Sequence, residues 1–111
     1  METPFKNDPF AITYEAFKEL YPDKECECWF DTDIKADDGD DAFGITSFEP
    51  DGRIVVLVDA NISAEAATET LAHEFAHVAA GYDAGHGEEW EKAFKAMFDK
   101  YEEICVGRFG C

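Results

Sequence analysis

The sequence predicts an α+β fold, on three observations. The run Arg53-Ile54-Val55-Val56-Leu57-Val58-Asp59 is β-branched almost throughout and follows the turn signal Glu49-Pro50-Asp51-Gly52, so it reads as a strand entered from a tight turn. An alanine-rich stretch carries a capping serine, Ser63, at one end and a stop glycine, Gly81, at the other. Beyond it Trp90, Phe94, Met97 or Phe98, and Tyr101 recur at helical spacing. Together these predict about three antiparallel strands packed on the helix that follows them, with further helices towards both ends of the chain.

The totals bound the rest. The chain has 111 residues, 46% hydrophobic and 14% aromatic, which is one domain (residues 1–111) with a genuine core and not a disordered segment. Its formal net charge is −17, from 26 acidic and 9 basic residues. Such a surface repels polyanions, so direct binding to nucleic acid or to anionic lipid is disfavoured. Met1-Glu2-Thr3-Pro4-Phe5-Lys6 contains no apolar leader core, and no apolar run approaches membrane-spanning length. The expectation is a monomeric, cytoplasmic protein. In that compartment Cys26, Cys28, Cys105 and Cys111 are expected as free thiols. A second, structural zinc on those four cysteines is a weaker alternative, because Cys-x-Cys with Cys-x5-Cys is not zinc-ribbon spacing; disulfides are weaker still.

Taken in order, residues 1–12 hold Pro4 and Pro9 and read as an extended lead-in. Thr13 is expected to cap a short helix from Tyr14 to about Leu20, whose Tyr14, Phe17, Leu20 and Tyr21 make one apolar face. From Glu25 to Asp33 polar and apolar residues alternate, with Cys26, Cys28 and Phe30 on one side, which predicts a half-exposed strand. Asp37-Asp38-Gly39-Asp40-Asp41 reads as a solvated turn, since Lys35 breaks the calcium-loop pattern. Phe43 to Phe48 is the next strand, forming a hairpin with the 53–59 run; the first strand is expected to join the same antiparallel sheet. The helix from Ala64 to about Ala80 places Ala67, Leu71, Phe75 and Val78 on one stripe. His73 and His77 stand roughly 140° from the centre of that stripe. A last helix, from about Gly87 to Ile104, opens on Glu88, Glu89 and Glu91 and packs its aromatic stripe.

The chemistry is concentrated at His73-Glu74-Phe75-Ala76-His77, an H-E-x-x-H pattern. Residues four apart on a helix lie one above the other, so two imidazoles can face one cation. Glu74 lies one step round, beside the metal and not on it, where a carboxylate can take a proton from a metal-activated water. A tetrahedral zinc then lacks one protein ligand. His86 is the first candidate, and Glu89 or Glu91 the second. His73, His77 and His86 are the only histidines in the chain, which argues for a shared task.

His73-Glu74-x-x-His77, eight further residues, and His86-Gly87-x-x-Trp90 resemble the SprT-like (Spartan-type) zinc metalloprotease family, whose pattern is H-E-x-x-H followed by a loop and H-G-x-x-[FW]. With the strand and capped helix before it, the resemblance spans about residues 43–105. It implies a minimal zincin fold and one catalytic zinc on His73, His77 and His86. Glu74 is then the general base of a peptidase acting on a peptide or protein substrate. Members that repair DNA–protein crosslinks carry basic DNA-binding surfaces, and several end in a zinc ribbon. This chain is acidic with unorthodox cysteines, so the resemblance supports zinc proteolysis more than a DNA-repair role. Tyr82 and Tyr101 are candidate oxyanion donors, and the edge of the Arg53–Val58 strand a candidate substrate ledge. The alternative is a non-catalytic, zinc-stabilised acidic binding module, such as a nucleic-acid mimic.

Overall fold

The computed structural model describes residues 6–34, 43–81 and 85–110. The helices are α1 (Pro9–Leu20), α2 (Ala64–Ala80) and α3 (Glu88–Phe109), and the strands β1 (Glu27–Asp31), β2 (Gly44–Phe48) and β3 (Ile54–Asp59). The fold is α+β, with three helices against a three-stranded mixed sheet of order β1-β3-β2.

The β2–β3 hairpin is antiparallel, with Thr46 opposite Val56 and Gly44 opposite Val58. The first strand departs from the expected all-antiparallel sheet. β3 inserts between β1 and β2, and β1 pairs with it in parallel, Cys28 opposite Val56 and Phe30 opposite Val58. A short turn forces two strands antiparallel and adjacent, whereas a long connection leaves both choices open. Alternation in residues 25–33 therefore fixes which side chains share a face and not the direction of pairing. The expected Asp37–Asp41 turn lies outside the described residues.

The first helix also begins earlier than the expected start at Tyr14. Asp8 is its cap, accepting from the backbone N–H of Phe10 (2.9 Å) and Ala11 through Oδ1, and Pro9 sits where a missing N–H costs nothing. Thr13 is interior instead, its hydroxyl donating to the Pro9 carbonyl at 2.7 Å. Ser63 caps α2 as expected, accepting from Ala66 N–H at 3.1 Å, and Gly81 ends it at φ 97°. The last helix runs past Ile104 to Phe109. Arg108 ties its final turn to Glu15 of α1 at 2.8 Å, and Gly110, left-handed at φ 73°, stops it.

Val56 and Val58 point from β3 into the core; Val55 and Leu57, on the opposite face, are only half-buried. α2 packs on β2 and β3, and α1 and α3 pack on α2 and on each other. The centre is Phe17 of α1 stacked on Phe75 of α2, ring centroids 4.6 Å apart, with Ala16, Leu71, Val78 and Met97 around them. Burying those two rings fixes the rotation of α2 about its axis. The half of α2 that carries His73 and His77 is thereby turned towards β2 and the start of α3. No described helix is long and apolar enough to cross a membrane.

Candidate metal centre

One helix and one loop bring the histidines together. His73 and His77 project from α2 one turn apart, and His86 reaches back from just before α3. Their ligand nitrogens all lie within 4.8 Å of one another, and among the described residues this is the one group of three or more metal-ligating side chains. His86 Nε2 stands 3.1 Å from His77 Nε2 and 3.2 Å from His73 Nε2. A ring nitrogen offers either one proton or one lone pair, so His86 Nε2 cannot hydrogen-bond well to two others at once. A shared cation resolves that conflict. Two nitrogens bound at 2.0–2.1 Å to one tetrahedral ion stand about 3.3–3.4 Å apart, close to the two spacings at His86. The donor set, three imidazoles without thiolate, suits a borderline divalent ion. Glu89 and Glu91 are exposed on α3 and stand outside the group, so His86 is the third candidate ligand.

The electrostatics keep the His73 and His77 imidazoles ready to ligate. Burial lowers the pKa of His77 to about 4, with repulsion from His73 and His86 adding to it; burial and His86 lower that of His73, against an opposing pull from Glu69. Neutral rings with a free lone pair are what a metal requires.

Trp90 is the wall of the site. Its ring packs edge-on against His73 (4.7 Å between centroids) and His86 (4.8 Å), and tilted against His77 (5.6 Å). Its indole N–H donates to the His73 carbonyl at 3.2 Å. Phe94, one turn on, stacks on Trp90 at 5.2 Å. The first turns of the α3 stripe thus serve the cluster, while Met97 enters the core and Phe98 remains half-exposed.

Glu74 is buried, 5% exposed, with Oε2 4.0 Å from His73 Nε2. Burial raises its pKa, and a hydrogen bond from Thr46 partly offsets that rise. Thr46 Oγ1 donates to Glu74 Oε1 at 2.7 Å and lies 3.2 Å from the Glu74 carbonyl. The strand must come close for this. A Cβ on Gly44 would stand 2.6 Å from Thr70 Cγ2, 3.0 Å from the Leu57 carbonyl oxygen and 3.2 Å from Glu74 Oε2. Gly44 and Thr46 are the site residues that sequence reasoning missed. Their signal was faint: a glycine opening a strand, and one threonine facing the same way two residues later.

A cleft of about 510 Å³ runs along β2, lined by Gly44 to Phe48, His73, Glu74, His77, Gly81, Gly85 and His86. The 53–58 strand does not offer the expected ledge. β3 is central and paired on both sides, so the edge beside the cluster belongs to β2. Tyr101 is not brought to the site. It lies three turns further along α3, in a separate cavity with Thr13, Ala72 and Met97; Tyr82 falls outside the described residues. Cys26, Cys28 and Cys105 form no three-ligand group, and Cys111 also lies outside the described residues. No family model, no curated protein and no solved structure matches the chain.

Proposed function

We propose that the chain is a zinc-dependent metallopeptidase of the SprT-like type, a minimal zincin with His73, His77 and His86 as ligands and Glu74 as general base. The observation that carries this is the pairing of a three-imidazole cluster with a buried carboxylate beside it that is not one of the ligands. A purely structural metal has no use for that carboxylate, whose burial costs stability. The same observation favours an enzyme over the acidic binding module.

A divalent zinc ion held there supplies Lewis acidity, activating a water and polarising a carbonyl. The chain's own residues do the rest. Thr46 holds Glu74 Oε1, which leaves Oε2 facing the cluster to take a proton from the attacking water and return it to the departing amine. Trp90 excludes solvent from one side of the imidazoles and fixes their orientation. β2 lines the cleft as an edge strand, so an extended peptide can pair with its backbone and lie across the histidines.

The test is cleavage of a peptide library or an unfolded protein by the zinc-loaded chain, by the same chain after chelation, and by Glu74→Gln. Cleavage by the first alone, with zinc still bound to Glu74→Gln, supports the reading. Full-rate cleavage by Glu74→Gln, or by the chelated chain, refutes it.

A further inference from the structure

On the far edge of the sheet, away from the histidines, Cys26 is the last residue before β1 and Cys28 the second residue within it. Side chains two apart on an extended chain share a face, and the two thiols interact closely enough to shift one another's titration in opposite directions. Both open onto an apolar cavity of about 270 Å³ walled by Phe10, Tyr14, Trp29 and Phe30. Cys28 is exposed and Cys26 half-buried. Among the described residues no third ligand joins them, so the pair is not equipped as a metal site. What remains is the chemistry of two adjacent, accessible thiols.

We propose that Cys26 and Cys28 are a redox dithiol, oxidised to an intramolecular disulfide by exchange with a small-molecule disulfide. The Cys26 sulfur, as thiolate, attacks one sulfur of that disulfide. A Cys26 mixed disulfide forms, the small molecule's S–S bond breaks, and one thiolate leaves carrying the electron pair. Cys28 gives up its proton to that thiolate and attacks the Cys26 sulfur, expelling the second thiolate. The two cysteines lose two electrons, and one small disulfide becomes two thiols.

Three features assign the roles. The Cys28 thiol lowers the pKa of Cys26, an effect that burial opposes and the Lys18 ammonium assists. Lys18 is held near Cys26 by two carbonyls of the preceding turn, Pro22 at 3.2 Å and Lys24 at 2.8 Å. Cys28 is pushed the other way, chiefly by its interaction with the Cys26 sulfur, so it stays protonated until Cys26 has reacted. The bond they form is a strained one. Extended residues two apart have Cα atoms about 6.4–6.8 Å apart, at the upper end of the disulfide range. Cys26 lies outside the strand and can close that gap at the cost of local distortion. Strained, exposed disulfides are readily reduced again, so the pair is suited to reversible oxidation rather than to bracing the fold.

This proposal needs neither the metal nor hydrolysis, and its test is independent of both. The full chain is incubated with oxidised glutathione, quenched by alkylation and digested with trypsin, and the peptide spanning residues 25–35 is weighed. The expected peptide has lost two hydrogens, carries no glutathione and no alkyl group, and recovers both thiols after reduction. Cys28→Ser should retain one glutathione on Cys26, and Cys26→Ser should react about tenfold more slowly at Cys28. A stable glutathione adduct on the wild-type peptide, or two alkylated thiols after full exposure, overturns the dithiol. A Cys28→Ser chain that reacts no faster than Cys26→Ser overturns the order of attack.

Discussion

The two edges of the sheet are built differently. At the β2 edge the strand lies so close to α2 that a single added methyl at Gly44 would meet Thr70 at 2.6 Å, and Thr46 reaches the buried Glu74 carboxylate. At the β1 edge the strand stands off α2 across an apolar cavity, with Trp29 58% and Phe30 56% exposed. β1 is held mainly by its parallel pairing to β3 and by contacts such as Phe10 edge-on to Phe30 at 5.3 Å. The contrast teaches where precision is needed. A base beside a cation, the role proposed for Glu74, must be fixed to fractions of an ångström, and a strand pressed against the helix would supply that. A dithiol must move to react, and its strand has room.

The largest effect expected at the β2 edge is on chemistry. Glu74→Gln should reduce peptide cleavage by roughly 10²–10⁴-fold while retaining zinc, measured by turnover beside metal content. Chelation should come next. With free zinc about a hundredfold above the Kd of the three-histidine site, removal costs about 2.7 kcal/mol, read as a fall in Tm by calorimetry. An unchanged Tm would count against the three-histidine site.

The contrast in packing predicts unequal tolerance. Gly44→Ala should cost about 1–3 kcal/mol in urea unfolding, because either β2 or Thr70 must shift. Trp29→Ser, on the exposed edge, should stay within about 0.5 kcal/mol. Equal losses would erase the distinction between the edges. A finer cut is Thr46→Val, which removes the hydrogen bond to Glu74 at nearly constant volume. Turnover should fall about tenfold with little change in KM, and Thr46→Ser should recover most of it.

The smallest effect is in the pH dependence of the metal-free chain. The folded pKa of His77 is lowered, to about 4, so between its unfolded value near 6.5 and about pH 4 the unfolded chain binds the extra proton. Folding stability therefore falls as pH drops through that window. The folded pKa of Glu74 is raised, so ionisation costs the folded state stability as pH climbs above 4.5. Urea unfolding in chelator should show a shallower acid loss for His77→Gln and a steeper one for Glu74→Gln.

Much of this was legible in the residues themselves. The β-branched 53–59 run, the Ser63 cap and the Gly81 stop follow from local sterics and backbone hydrogen bonding, which act over a few residues. The spacing of His73 and His77 follows from the pitch of a helix, and the scarcity of histidine drew in His86. Asp8-Pro9 is an equally local cap signal, and it prevails over Thr13 because Asp8 Oδ1 can accept from the first free N–H groups. Other features depend on elements meeting that are distant in the chain. The parallel pairing of β1, the central place of β3, the approach of Gly44 to Thr70 and the bond from Thr46 to Glu74 are of that kind. They were decided only when Phe17 and Phe75 stacked and set the rotation of α2, because contact across the core is a property of the packed whole. Sequence by itself determined which groups are available for chemistry. Tertiary packing decided which strand would serve them and left the other edge to its two thiols.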